Sequence, residues 1–124
     1  MMMQCRGIRG ATTVGTDTVE DIVSSAKDLL REMIEANGIQ TEKVASVIFT
    51  TTSDLNAAFP AVAARQLGWT DVALLCCKEM DVPGSLPRCL RILVLYNTEK
   101  NPEEIVHVYT RGAVELRSDL SGTR

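Results

Sequence analysis

The sequence predicts an α+β fold, built on one mixed β-sheet of about five strands with one long and one short helix. The chain has 124 residues, which is enough for one domain with a real core. Five segments are apolar and β-branched in the manner of strands, whereas only two segments have helical character. Two helices cannot cover both faces of such a sheet. We therefore expect the second face to pack against another subunit.

The first elements are a strand over residues 5–14 and a long helix after a threonine-rich turn. Asp17 or Thr18 is expected to cap this helix. Apolar side chains recur at intervals of three and four residues over 19–34, and charged side chains occupy the opposite face. Gly38 supplies the stop signal.

Four more strands and one short helix complete the predicted order. The short helix has Pro60 in its first turn and ends at Gly68. A helical turn is expected near 113–116, before a polar C-terminal tail. The additional strands are predicted at residues 44–51, 72–77, 88–96 and 105–110.

Composition and charge exclude several functional classes. The net charge is -3 and the basic residues are dispersed, so a nucleic-acid partner has little support. The N-terminal residues do not resemble a signal peptide and no apolar run reaches the length of a membrane span, which predicts a cytoplasmic protein. The four cysteines suggest reduced, packed thiols. With a single histidine and no zinc-like spacing, no metal or cofactor is expected.

Arg91 is the residue that most needs an explanation. It lies within the apolar run Cys89–Tyr96, which is typical of a strand covered on both sides. A guanidinium keeps its charge, and removing it from water costs several kcal/mol unless partners compensate. Either a carboxylate of the fold or a ligand must therefore face Arg91.

Other candidates have structural as well as functional interpretations. Arg9 lies between two glycines that allow close backbone approach, although a solvated arginine is the commoner outcome. Glu79 follows a strand end and is a ligand-binding group, an exposed carboxylate or the ion-pair partner of Arg91. Tyr109 could donate its hydroxyl to a ligand, and Arg65 is expected to be solvated on the second helix.

Covalent catalysis finds little support in the sequence. Cys76 could act as a nucleophile only with a nearby base, and His107 is the one imidazole in the chain. Nucleophile-elbow, phosphate-loop and dinucleotide motifs are absent. The arginines match a carboxylate-bearing small molecule better, because their forked donors bind carboxylates in a bidentate manner.

Six segments in order resemble the monofunctional AroH-type chorismate mutases, the trimeric class. The likeness covers nearly the whole chain, and the order and spacing of the segments make it specific. The segments are Arg6–Val14, Ser53–Ala61, Glu79–Val82, Cys89–Arg91, His107–Tyr109 and Leu116–Ser121.

This resemblance implies a reaction and a set of residue roles. The family converts chorismate to prephenate by a Claisen rearrangement without cofactor, metal or covalent intermediate. Arg91 would face the ether oxygen, and Glu79 with Cys76 would hold the ring hydroxyl. Arg9 and Tyr109 would bind the enolpyruvyl carboxylate. The remaining implied contacts are Phe59 and Ala61 along the pocket, and Arg65, Leu116 and Arg117 near its mouth.

The resemblance also implies an assembly, a pseudo-α/β-barrel homotrimer with active sites between adjacent subunits. The C-terminal stretch after residue 117 is expected to be mobile and to order over the site. Val62 and Leu75 depart from the family pattern, where a lysine and a threonine occur. Val62 is expected to weaken capture of the ring carboxylate, whereas Leu75 should matter less.

Two other hypotheses come from different functional classes. One is an imine deaminase that uses a similar trimer with an arginine between subunits; the Glu79 and Arg91 segments argue against it. The other is a catalytically silent trimer that binds an aromatic or dicarboxylate metabolite. Turnover of chorismate by the purified protein separates these hypotheses from a mutase.

Overall fold

A computed structural model describes residues 2–121 of the chain, with side chains described as far as residue 116. Five strands and two α-helices follow one another in the predicted order. Short 3-10 helices occupy Thr41–Lys43, Pro102–Glu104 and Arg111–Ser121. The main elements are β1 (Gln4–Thr13), α1 (Val19–Asn37), β2 (Val44–Thr51), α2 (Val62–Gln66), β3 (Ala73–Lys78), β4 (Cys89–Thr98) and β5 (Val108–Tyr109).

The five strands form one mixed sheet in the order β3-β2-β4-β1-β5. The central strand β4 pairs antiparallel with both β1 and β2, whereas β3 and β5 join the edges in parallel. This sheet and the small number of helices confirm the predicted α+β class. The edges are consequently far apart: four strand spacings separate β3 from β5, or about 19 Å.

Helix α1 begins and ends as its sequence predicts. The hydroxyl of Thr18 accepts a hydrogen bond from the backbone N–H of Asp21 at 3.1 Å, so Thr18 is the N-cap. Gly38 adopts a left-handed conformation with φ of 61° and closes the last turn. The apolar stripe is buried against the sheet, with Ile22, Ala26, Leu29, Leu30 and Met33 in the core.

Gly10 lets α1 pack directly onto β1. A Cβ atom built at this position would lie 2.4 Å from the sulfur of Met33, which is fully buried. Any side chain here would push the helix or its methionine out of place. The close approach matters for the rest of the protein, because Arg9 and Ala11 flank this glycine on the same strand.

Both helices lie on one face of the sheet, and the other face is only partly covered. On β4, the helix-side residues Leu90, Ile92 and Val94 are buried, whereas the alternate residues Arg91 and Leu93 are half-exposed. Alternation of this kind is typical of a strand with one covered face. The sequence instead suggested that β4 is covered on both sides. In the described part of one chain, only the side that faces the helices is covered.

Several element boundaries differ from the predicted ones, and α2 and β5 are clearly shorter than expected. Helix α2 is limited to Val62–Gln66, because Pro60 and Ala61 form the turn that precedes it. The fifth strand contains only Val108 and Tyr109, since the segment before it turns through the 3-10 helix Pro102–Glu104. The apolar residues of this edge segment therefore did not indicate how many of them pair with β1.

Arg111 fastens the start of the C-terminal 3-10 helix to α1. Its guanidinium donates to the hydroxyl of Ser25 at 2.8 Å and to the carbonyl of Thr13 at 3.1 Å. Its backbone has a φ of 52°, which is uncommon for a residue with a side chain. The predicted mobility of the tail after residue 117 concerns side chains and terminal residues outside the described part of the structure.

His107 links the approach to β5 with β1. Its Nδ1 atom accepts a hydrogen bond from the backbone N–H of Arg9 at 3.0 Å, which requires an unprotonated Nδ1. Burial, and secondarily the charge of Arg9, lower the pKa of His107. The neutral imidazole is therefore the form that the fold accommodates.

We expect Gly10→Ala to lower the free energy of unfolding by about 1–3 kcal/mol, because the added methyl overpacks the contact with Met33. The cost should shrink in a Met33→Val background, where the colliding sulfur is absent. Gly7→Ala is the matched control, since its Cβ would meet Leu93 at an ordinary 3.4 Å. Denaturant unfolding at one protein concentration measures the parent, the three single variants and the Gly10→Ala/Met33→Val double variant. Equal costs at the two glycines would contradict this explanation.

The lowered pKa of His107 predicts that acid weakens the fold. As the pH falls below 6.5, the ordinary value for histidine, the unfolded chain takes up the proton first, so stability decreases. Its contribution should be complete above pH 6.5 and be lost as the pH passes through the folded-state pKa. Urea titrations between about pH 5 and 7.5 at fixed protein concentration test this. His107→Asn retains an acceptor for Arg9 but does not titrate; an unchanged pH dependence in this variant would exclude His107 as the cause.

Candidate active site

One row of residues crosses the sheet on the face that the helices leave open. The register places Ala11 beside Arg91 and Arg91 beside Thr50 on neighbouring strands. Tyr109 extends the row beyond Ala11, and Cys77 extends it beyond Thr50. The small side chain of Ala11 leaves room between Arg91 and Tyr109, whose strands are about 10 Å apart. The row therefore forms the floor of a cleft.

The cleft brings together four of the residues that the sequence singled out. Arg9, Glu79, Arg91 and Tyr109 all line it, and it encloses about 220 Å³. Among the described lining residues two are arginines and one is a glutamate, a set that can bind an anionic substituent of a ligand. Its other lining residues are mainly apolar or small: Gly10, Ala11, Ile48, Thr50, Ile92 and Leu93. Such a surface can hold an apolar ring beside charged substituents.

Arg91 and Glu79 are neighbours, but they do not form a close ion pair. The Nε atom of Arg91 lies 3.5 Å from Oε2 of Glu79. Nε is buried and makes no hydrogen bond with any described residue, so this contact is charge proximity without an aligned bond. The side chain of Arg91 is 34% exposed. Its guanidinium thus remains accessible from the cleft, and Glu79 does not neutralise it fully within the part of the chain that the structure describes.

The position of Glu79 is determined from two sides. Its backbone N–H donates to the carbonyl of Thr51 at 2.9 Å, which continues the β2–β3 ladder past the end of β3. The hydroxyl of Thr50 donates a hydrogen bond to Oε2 of the Glu79 carboxylate. Thr50 was not predicted as a site residue. Strand alternation combined with the β2–β4 register would have identified it.

Cys89 lies two residues before Arg91 on β4, is buried and is not activated as a nucleophile. Burial raises the pKa of the Cys89 thiol and outweighs the opposing charge of Arg91. A neutral buried thiol is a packing group and a poor nucleophile. All four cysteines are free, but Cys5 and Cys77 are exposed. The expectation of packed thiols was wrong for those two.

A second cavity of about 410 Å³ lies on the helix side of the sheet edge. Phe59 and Cys76 line it together with Lys78. Phe59 is 72% exposed, although it is a large aromatic side chain. The other lining residues are Thr51, Leu55, Asn56, Ala57, Ala58, Pro60 and Cys77. The predicted site residues of one chain are therefore divided between two cavities.

The loop that carries Phe59 is held by two charged groups: Asp17, which the sequence offered only as a helix cap, and Lys78, which it did not single out. Oδ1 of Asp17 accepts backbone hydrogen bonds from Asn56 at 2.8 Å and Ala57 at 2.9 Å. The ammonium of Lys78 donates to the carbonyl of Leu55 at 2.6 Å. These bonds connect the loop to the start of α1 and to the end of β3. Phe59 consequently projects from a braced segment.

Cys76 and Glu79 do not meet within one chain. Cys76 pairs in register with the buried Phe49 and faces the helices, whereas Glu79 faces the open side near Thr50. Nor do Cys76 and His107 meet, because they lie at opposite edges of the sheet. A cysteine–histidine hydrolase has no support in this geometry.

The other predicted residues have varied positions. Ala61 is buried in the main core, and Arg65 is exposed on α2. Leu116 is half-buried and packs against the small cluster of Ala11, Tyr109 and Ala113. The side chain of Arg117 lies outside the described residues. Among the described residues of this group, Leu116 is the one that contacts the floor of the Arg91 cleft.

The departures from the family pattern lie away from the Arg91 cleft lining. Val62 begins α2, and Leu75 is 56% exposed on β3.

Among residues 2–116 no group of three or more acidic, cysteine or histidine side chains is arranged to hold a metal ion. In the same part of the chain, neither helix has both the length and the apolar character needed to cross a bilayer.

Comparison with known proteins gives a consistent result. The family model described as chorismate mutase type I matches residues 5–120. The chorismate mutase AroH of Thermus thermophilus is 54% identical over 120 residues, which cover 96% of this chain and 98% of that protein. The corresponding protein of Bacillus subtilis (strain 168) is 46% identical over 123 residues, with 98% and 97% coverage.

A solved structure agrees with these sequence relationships. A chorismate mutase from Clostridium thermocellum superposes with a TM-score of 0.87 at 51% sequence identity, covering 89% of this chain and 98% of the other. Identity at this level extends the likeness beyond the fold. The chain belongs to the type I chorismate mutases and is an isomerase that converts chorismate to prephenate in aromatic amino-acid biosynthesis.

Proposed function

We propose that chorismate binds in the Arg91 cleft and rearranges there without forming a covalent bond to the protein. The observation that carries this assignment is Arg91 itself, a partly exposed guanidinium in an otherwise apolar strand, whose buried Nε has only a loose contact with Glu79 among the residues that the structure describes. A structural ion pair would have engaged its donors. The proposed steps need no metal, cofactor or nucleophile.

Arg91 supplies the electrostatic part of catalysis. As the carbon–oxygen bond of chorismate breaks, negative charge develops on the ether oxygen, and a fixed guanidinium stabilises that charge. Arg91 also binds the side-chain carboxylate. Because the charge on the ether oxygen is largest in the transition state, this contact lowers the barrier more than it strengthens substrate binding.

The other groups of the cleft select the reactive shape of the substrate. Chorismate must hold its enolpyruvyl side chain over its ring before the new carbon–carbon bond can form. Arg9 and Tyr109 bind the enolpyruvyl carboxylate, and the Glu79 carboxylate accepts from the ring hydroxyl. Fixing both ends of the molecule removes most of the orientational entropy cost of the rearrangement.

The complete site is shared between neighbouring subunits of a homotrimer with a pseudo-α/β-barrel form. The open face is apolar and half-exposed, which suits burial against another sheet. The Arg91 cleft of one chain is smaller than typical ligand pockets, whereas Phe59 and Cys76 line a separate cavity. An adjacent subunit therefore contributes a second set of residues, the helix-side group, which consists of Phe59, Ala61, Arg65 and Cys76.

The C-terminal segment closes the mouth of this shared site. Leu116 already packs against Ala11 and Tyr109, so residues that follow it start beside the cleft. Arg117 adds a further cation there. With Val62 in place of the family's lysine, Arg65 and Arg117 carry the capture of the ring carboxylate.

Arg91→Lys should lower kcat by about 100-fold or more, because a point charge on a flexible stem does not replace the preorganised fork. The assay follows chorismate loss and prephenate appearance with purified protein. Arg31→Lys on the outer face of α1 makes the same chemical change outside the cleft and should leave kcat unchanged. A nearly active Arg91→Lys enzyme would remove Arg91 from the ether oxygen, and an inactive parent would leave only a binding protein.

Mixed trimers test the shared site. Arg91→Ala and Arg65→Glu chains, each impaired alone, are co-expressed with different tags and purified as mixed assemblies. If the two residues come from different subunits, every mixed trimer regains one intact site and about one third of parental activity. The control pairs Arg91→Ala with Arg9→Ala, which belong to one cleft and should show no recovery. Absence of recovery in the first mixture as well would contradict a site divided in this way.

A further inference from the structure

We propose that Thr50 is a positioning residue of the active site, whose hydroxyl keeps the Glu79 carboxylate from closing onto Arg91. This inference deepens the proposed function and rests on the roles given there to Arg91 and Glu79. Thr50 itself need not touch the substrate. It acts through the carboxylate that it holds.

The sheet places Thr50 between the two charged groups. Thr50 pairs with Arg91 on one side and with Cys77 on the other, and all three residues share the open face. Glu79 follows Cys77 by two residues and therefore returns to that face. Thr50 is thus the side chain that lies between the strand of Arg91 and the strand end of Glu79.

The backbone leaves only the carboxylate itself to be positioned. The N–H of Glu79 is bonded to Thr51, and Arg91 is held in the ladders of β4 with both neighbours. With both main chains fixed, rotation about the side-chain torsions of Glu79 decides how closely Oε2 approaches Arg91. The Thr50 hydroxyl selects one rotation by donating to Oε2.

The result is a carboxylate that is close to Arg91 but does not form a closed ion pair. Oε2 lies 3.5 Å from Nε, and Nε has no hydrogen-bond acceptor among the described residues. A carboxylate free of Thr50 would form the stronger aligned pair with the guanidinium. That closed pair would occupy the acceptor meant for the ring hydroxyl and would weaken the field at the ether oxygen.

Removing the hydroxyl without changing the shape of the side chain tests this role. We expect Thr50→Val to lower kcat between about 10-fold and 100-fold, with a smaller change in KM, because the misplaced groups act mainly in the transition state. Thr50→Ser retains a donor and should recover most of the activity. Thr98→Val, which removes another strand hydroxyl on the far end of β4, should behave like the parent.

A double-mutant cycle separates positioning from a structural role. In a Glu79→Gln background the side chain has no charge to pair with Arg91, so Thr50→Val should change kcat by less than about twofold. Thermal unfolding of every variant is measured beside the kinetics. Thr50→Ala replaces Thr50→Val if the valine chain does not fold.

The outcomes distinguish this inference from the proposed function. If Arg91→Lys is impaired while Thr50→Val equals the parent, the role of Thr50 is overturned and the proposed function stands. If Arg91→Lys remains active, the proposed function fails whatever Thr50 does. A loss in Thr50→Val that persists undiminished beside Glu79→Gln, or that follows a loss of thermal stability, would show a structural role and overturn the proposal. The positioning role is supported if Thr50→Val lowers kcat when Glu79 is present but not in the Glu79→Gln background, and if Thr50→Ser recovers the activity.

Discussion

The antiparallel pairing of β1 with β4 is the constraint on which the rest of the site depends. Ten residue pairs, from Gln4 with Thr98 to Thr13 with Cys89, fix the relative position of the two strands. Strand residues alternate between the two faces, so a slip of one position would turn Arg91 toward the core. The same ladder sets Ala11 beside Arg91 and thereby opens the cleft. Helix packing through Gly10 secures β1 in that register.

Local sequence rules predicted an element well where the burial of one face determines its pattern of apolar residues. The spacing of apolar residues and the caps at Thr18 and Gly38 define α1 closely, and β2 has the predicted bounds. The fifth strand was predicted too long, because edge pairing ends where the partner strand and the chain diverge. Local composition contains no information about that divergence.

The site could be predicted only in part for a related reason. Its position in an apolar run indicated Arg91 as a candidate site residue, but the run could not show whether a carboxylate or a ligand compensates its charge. Glu79 lies between those alternatives, and its orientation depends on Thr50, which is distant in sequence from both charged groups. Cys76 was grouped with Glu79 because the family resemblance implies that both contact the ring hydroxyl. Which face a strand residue occupies depends on tertiary packing that no local pattern specifies.

The division of the site residues between two faces of one chain has a genetic consequence. In the proposed ring, every subunit lends its cleft to one site and its helix-side group to the next. A chain that folds but is defective in both regions would disable two sites in each assembly it enters. Such an allele would act dominantly over a normal copy, whereas an allele whose chain cannot assemble would be recessive.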